Sequence, residues 1–119
     1  MFDDFDFELD SSFTENPFYN PSACGLKMVD TLSFTDEAYQ FDYLVVWKSL
    51  SDGKIYYARD SGCSCPTPFE DFHKLSDMME IRNSGDLSAI KNLVRTNECA
   101  SPERKQDSMY SIRNALKGE

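Results

Sequence analysis

The sequence predicts an α+β fold: a small antiparallel meander of about three strands, followed by two or three helices packed on it. Three observations carry this prediction. Apolar residues alternate with period two between Lys27 and Arg59, then recur at helical spacing after Phe69. Ser51-Asp52-Gly53 supplies a hairpin turn between the two best strand segments, with Gly53 free to take a positive φ. The strand-like runs precede the helix-like runs instead of alternating with them, which separates α+β from α/β.

The first element is an acidic, aromatic-rich arm over residues 1–25. Phe2, Phe5, Phe7 and Phe13 are interleaved with Asp3, Asp4, Asp6, Glu8 and Asp10. Such a segment suits docking on another surface. An edge strand with Phe5, Phe7 and Leu9 on one face is the other reading, and both stay open. Asn16-Pro17 and Asn20-Pro21 break the chain before a single domain spanning 26–119.

Lys27 to Phe34 reads as a strand, with Met28, Asp30, Leu32 and Phe34 set against Val29, Thr31 and Ser33. Phe41 to Lys48 is the strongest strand. Phe41, Tyr43, Val45 and Trp47 share one face while Leu44 and Val46 share the other, so both faces are apolar and the strand is central. Trp47 either fills the core or, on an uncovered face, forms part of a contact patch. Lys54 to Arg59 returns as its partner, with Ile55 and Tyr57 facing away from Tyr56 and Ala58.

A turn then carries Gly62, Cys63, Cys65 and Pro66 into an apparent helix start. Thr67 is placed as an N-cap, Pro68 as the first helical residue and Glu70 as the capping-box acid, with Asp71 beside it. Phe69, Phe72, Leu75 and Met79 would form the stripe of that helix. Leu87, Ile90 and Val94 mark a second helix behind Ser84-Gly85-Asp86. Ser101-Pro102-Glu103 opens a third with Met109, Ile112 and Leu116 on its apolar side.

The formal charge of −9 is unevenly distributed. Residues 1–25 hold six acids and no base, whereas residues 82–119 hold seven bases and five acids. Direct nucleic-acid binding is disfavoured, because phosphates require a basic surface. A partner with a basic surface is favoured instead. No run of apolar residues is long enough to span a membrane, and Met1-Phe2-Asp3-Asp4 lacks the basic start of a secretory leader. A cytoplasmic setting with reduced cysteines follows as the expectation.

Enzymatic chemistry finds little support. His73 is the sole histidine, the glycines are isolated, and no serine sits in a nucleophile-elbow pattern. No catalytic residue and no cofactor are expected. One alternative is a zinc site drawn from Cys24, Cys63, Cys65, His73 and Cys99, or a thiol site at Cys63 and Cys65. A strong zinc signal would show two close cysteine pairs, and this chain has one. A second alternative is an acidic DNA mimic that blocks a nucleic-acid-binding enzyme.

The run from Phe41 to Trp47, followed by Gly53 and Tyr56 to Asp71 with its Gly-Cys-Ser-Cys-Pro-Thr-Pro-Phe-Glu-Asp motif, resembles a family of small proteins of actinobacterial tailed phages, mycobacteriophages above all. The resemblance covers about residues 38–75 and brings no catalytic residues with it. It implies an accessory protein acting in an infected bacterial cytoplasm by binding a host or phage protein. The interaction residues expected are Phe2, Asp3, Asp4, Phe5, Asp6, Phe7, Glu8, Asp10 and Trp47, together with the motif turn.

Overall fold

The computed structural model describes residues 13–37, 39–63 and 67–118. Its sheet has four antiparallel strands in the order β1 (Leu26–Ser33), β2 (Gln40–Ser49), β3 (Ile55–Cys63) and β4 (Met79–Glu80). Two helices follow, α1 (Ser84–Arg95) and α2 (Pro102–Leu116). The α+β class is as the sequence indicates, with β4 added as a two-residue fourth strand at the edge beside β3.

The β2–β3 hairpin closes where expected. Gly53 has φ 76°, its N–H donates to Ser49 O, and Lys54 N–H donates to Asp52 Oδ1. These bonds satisfy the backbone of a turn that needs one residue of positive φ.

β2 is buried on both sides, and each side faces a different cover. Leu44 and Val46 join Leu32, Ile55 and Tyr57 beneath the two helices, which contribute Ile90, Val94, Met109, Ile112 and Ala115. Val45 and Trp47 join Leu26, Tyr56, Ala58, Phe69 and Met78 beneath irregular chain. That second cover consists of residues 13–25 and 67–78, with Phe13, Phe18, Phe72 and Leu75 packed onto the cluster. Residues 13–25 thus lie on the sheet, although the sequence places them in the arm.

β1 departs from simple alternation. Met28 pairs with Trp47, but Asp30 pairs with the next residue, Val46, so Val29 is the extra residue of a bulge. Leu26 and Met28 therefore pack on the irregular face, whereas Leu32 packs on the helical one. The bulge aims Asp30 at α2, where it takes a bidentate pair from Arg104 at 2.6 and 3.2 Å. Arg104 also donates to Thr31 O at 2.8 Å. The same fork holds the guanidinium firmly protonated: the hydrogen bond to Asp30 raises the Arg104 pKa against the opposing effect of burial.

The helix expected from Pro68 through Met79 does not form. The segment is a series of turns, a single 3-10 turn at Leu75–Asp77, and then β4. Phe69 takes φ 62°, in the left-handed region, which ends any helix at its second residue. Its N–H donates to Asp60 Oδ2 at 2.8 Å rather than remaining available for a helical ladder. Half of the capping box survives inside this turn: Thr67 N–H donates to Glu70 Oε1 at 2.5 Å, and Glu70 N–H donates to Thr67 O. Among the described residues the Thr67 side chain accepts from no backbone N–H.

The two true helices are capped by side chains. Asn83 Oδ1 accepts from Asp86 N, and Ser101 Oγ accepts from Arg104 N. Asp86 in turn accepts from Arg82 N, so it supports the cap from inside the first turn. On α2 the buried stripe runs through Met109, Ile112 and Ala115, and Leu116 is exposed instead of buried. Asn97 is fully buried between the helices. It donates to Ser33 O and accepts from Cys99 N and Ala100 N, which ties the interhelical turn to the end of β1.

Candidate functional site

Trp47 lies at the centre of the irregular face and has no exposed surface. Its Nε1–H donates to Pro17 O at 3.0 Å, and its indole meets the Phe69 ring edge-on at 5.4 Å. Trp47 is thus a core residue that anchors the N-terminal strap, and the contact-patch reading is overturned. Phe18 extends the same stack, at 5.1 Å from Tyr43 and 5.7 Å from Phe69. The other expected interaction residues, Phe2 to Asp10, lie outside the described residues.

The cysteine motif divides between two structural roles. Gly62 and Cys63 are the end of β3, paired with Phe41 and Gln40, so Cys63 sits on a strand and not on the turn. Cys65 and Pro66 lie outside the described residues. Beyond them Pro68 is buried and its carbonyl accepts from Asn16 Nδ2 at 2.9 Å. Phe69 is fully buried, whereas Thr67, Glu70 and Asp71 are exposed. The motif therefore clamps the strap at 13–18 through Pro68 and Phe69.

The zinc candidates are separately engaged. Cys24 Sγ donates to Glu15 O, and burial raises its pKa, which disfavours the thiolate a metal would need. Cys99 Sγ donates to Phe34 O, and His73 is exposed on the opposite cover of the sheet. Among the described residues no three His, Cys, Asp or Glu side chains converge as a metal site. No helix is long and apolar enough to cross a membrane among those residues.

The strongest site is one that motif reasoning passed over: a groove of about 660 Å³ between α1 and α2. Its floor is apolar, formed by Val94, Met109 and Tyr110. Val94 and Met109 are the outer edge of the helical core, and Tyr110 is 68% exposed. The rim is cationic. Lys91 and Arg95 stand one turn apart on α1, and Lys105 and Arg113 line the α2 side, with Asp107 as the acid there.

Four of the twelve bases of a chain with formal charge −9 therefore surround one apolar trough. Lys105 Nζ donates to Arg95 O at 3.1 Å, where a cation also suits the carbonyl end of α1. Among the described residues Lys91, Arg95 and Arg113 have no carboxylate within ion-pair distance. By contrast, Arg59 and Arg104 are both locked in bidentate pairs, with Asp42 and Asp30. Lys91, Arg95 and Arg113 are thus available to attract an external anion.

The signal for this groove is present in the sequence as the basic excess of 82–119, combined with the helical stripes. Only the packing of α1 against α2 gathers the two into one trough. Chemically the site offers apolar contact and charge attraction, the ingredients of a protein-docking surface.

A family model described as a domain of unknown function, DUF7574, matches residues 15–117. A search of curated proteins gave no match, and neither did a search of solved structures.

Proposed function

The chain belongs to this DUF7574 family of domains of unknown function, and we propose that it is a non-enzymatic protein-binding module whose docking surface is the α1–α2 groove. The observation that carries the reading is the set of cations Lys91, Arg95 and Arg113, without a carboxylate partner among the described residues, around a groove lined by Val94, Met109 and the exposed Tyr110. An acidic segment bearing apolar side chains satisfies both parts of such a site. Nucleic acid fits it less well, because Tyr110 is the one aromatic in the groove available for stacking and the chain as a whole repels phosphate.

The proposal keeps the setting that the phage resemblance implies: an accessory protein in the cytoplasm of an infected bacterium, engaging a host or phage protein. Affinity capture from host lysate tests it, with wild type set beside Arg95→Glu/Arg113→Glu. Both positions are exposed, so the fold should survive. A partner held by wild type, lost by the double variant and released by salt is the expected result. Equal retention by both proteins would remove the groove as the docking surface.

A further inference from the structure

A second cavity, of about 550 Å³, lies where the hairpin end of the sheet meets the last turns of α2. It shares no lining residue with the α1–α2 groove. Lys27 and Lys48 enter it from the sheet, and they stand directly opposite each other in the β1–β2 register. Opposite residues of an antiparallel pair hold their Cβ atoms about 5 Å apart, and like charges placed there repel. Nothing in the chain relieves that repulsion. No carboxylate lines the cavity, and among the described residues neither lysine has an ion pair or a side-chain hydrogen bond.

α2 contributes the other polar groups. Ser111 and Asn114 are one turn apart and half-buried, and among the described residues their side chains form no hydrogen bond. The carbonyl end of α2 does not call on the lysines either, because Lys117 N–H and Gly118 N–H donate to the carbonyls of Arg113, Asn114 and Ala115. Two ammonium groups, one hydroxyl and one amide thus converge without internal partners. Val29, Ala115 and the exposed Leu50 supply apolar wall beside them.

We propose that this cavity binds a small phosphate monoester, with the phosphoryl group between Lys27 and Lys48 and the organic part against Val29, Leu50 and Ala115. A monoester carries close to two negative charges at neutral pH, which matches two ammonium groups and turns their repulsion into attraction. A carboxylate would leave one of the two charges uncompensated. The Ser111 hydroxyl and the Asn114 amide donate to the remaining phosphoryl oxygens. The volume is that of a small-molecule pocket, and no aromatic ring lines it, so aliphatic contact rather than base stacking holds the organic part.

The test titrates the full chain with monobutyl phosphate at constant ionic strength and follows the amide resonances of Lys27, Lys48, Ser111 and Asn114. Saturable shifts at these positions are expected. Lys27→Gln/Lys48→Gln should bind at least roughly tenfold more weakly. Lys54→Gln, an exposed lysine outside the cavity, should bind as wild type does. Pentanoate should bind roughly tenfold more weakly than monobutyl phosphate, since it has one charge fewer. Without ligand the double variant should melt no lower than wild type, because a repulsion has been removed. No saturable shift at millimolar ligand would overturn the proposal, as would equal affinity of wild type and the double variant. A lower melting temperature for the double variant would give the lysines a structural role instead. Pentanoate bound as tightly as monobutyl phosphate would refute the monoester, and a phosphoserine peptide bound more tightly than it would replace the small molecule by a phosphorylated chain.

Discussion

The two faces of the sheet bury comparable apolar clusters by different means. On one face α1 and α2 lay a stripe each over Leu32, Leu44, Val46, Ile55 and Tyr57, and their backbone is satisfied within the helices. On the other face irregular chain at 13–25 and 67–78 covers Leu26, Val45, Trp47 and Tyr56. Irregular cover has no ladder of its own, so its polar groups need individual partners. The structure supplies them one at a time: Trp47 Nε1–H to Pro17 O, Asn16 Nδ2–H to Pro68 O, and Phe69 N–H to Asp60 Oδ2. Large rings then provide the area that helices provide opposite. A sheet face can thus be closed without an α-helix or a second sheet when a few rings and a few specific hydrogen bonds coincide.

The most severe way to break that equivalence is Phe69→Ala. Phe69 is fully buried and touches Phe18, Trp47 and Phe72. Its loss should destabilise the protein by about 3–5 kcal/mol, as for other buried phenylalanines. Chemical denaturation measures this. A cost below about 1 kcal/mol would mean that the irregular layer merely drapes the sheet and that the helical face holds the fold alone.

A smaller effect is expected from Trp47→Phe. The ring volume is largely kept, but Pro17 O loses its buried donor, at a cost of about 1–3 kcal/mol. The strap at 13–18 should then exchange its amide hydrogens faster while the helices change little. Uniform acceleration across both covers would show that the indole hydrogen bond does not hold the strap specifically.

The finest comparison sets a true cap against an apparent one. Ser101→Ala removes the bond to Arg104 N at the start of α2 and should cost about 1 kcal/mol. Thr67→Ala, at an exposed position where the backbone rather than the side chain meets Glu70, should fall within about 0.5 kcal/mol of zero. Thermal or denaturant unfolding of the pair decides between them. Equal costs would restore Thr67 as a genuine cap.

These two capping sites also show how far the sequence can be read. Both have the local pattern of a helix start, and Pro follows directly in each. Ser101 leads into a stripe that meets the helical core. Thr67 leads into Phe69, whose ring has a better place between Phe18, Phe72 and Trp47 than on a helix surface. Filling that place requires a positive φ, which costs of order 1–3 kcal/mol and is offset by burial of the ring. Propensity described the options at Thr67, and packing chose between them. The candidate site followed the same course: the cations of 82–119 were visible as a charge excess, but their convergence on one trough was not.

By itself the sequence determined the order of β1 to β3, the double-sided burial of β2, the Gly53 turn, the stripe of α1 and the start of α2 at Ser101-Pro102. Each of these depends on neighbours within a few residues, where spacing and backbone chemistry decide. Tertiary structure alone decided the bulge at Val29, the conversion of 67–78 from helix to cover, the bond from Trp47 to Pro17, the burial of Asn97, and the joining of two basic helix faces into a groove. Those outcomes depend on contacts between distant segments: Trp47 with Pro17, Asn97 with Ser33, and Arg104 with Asp30. Their energies come from burial and desolvation, which no local pattern records until the chain has packed.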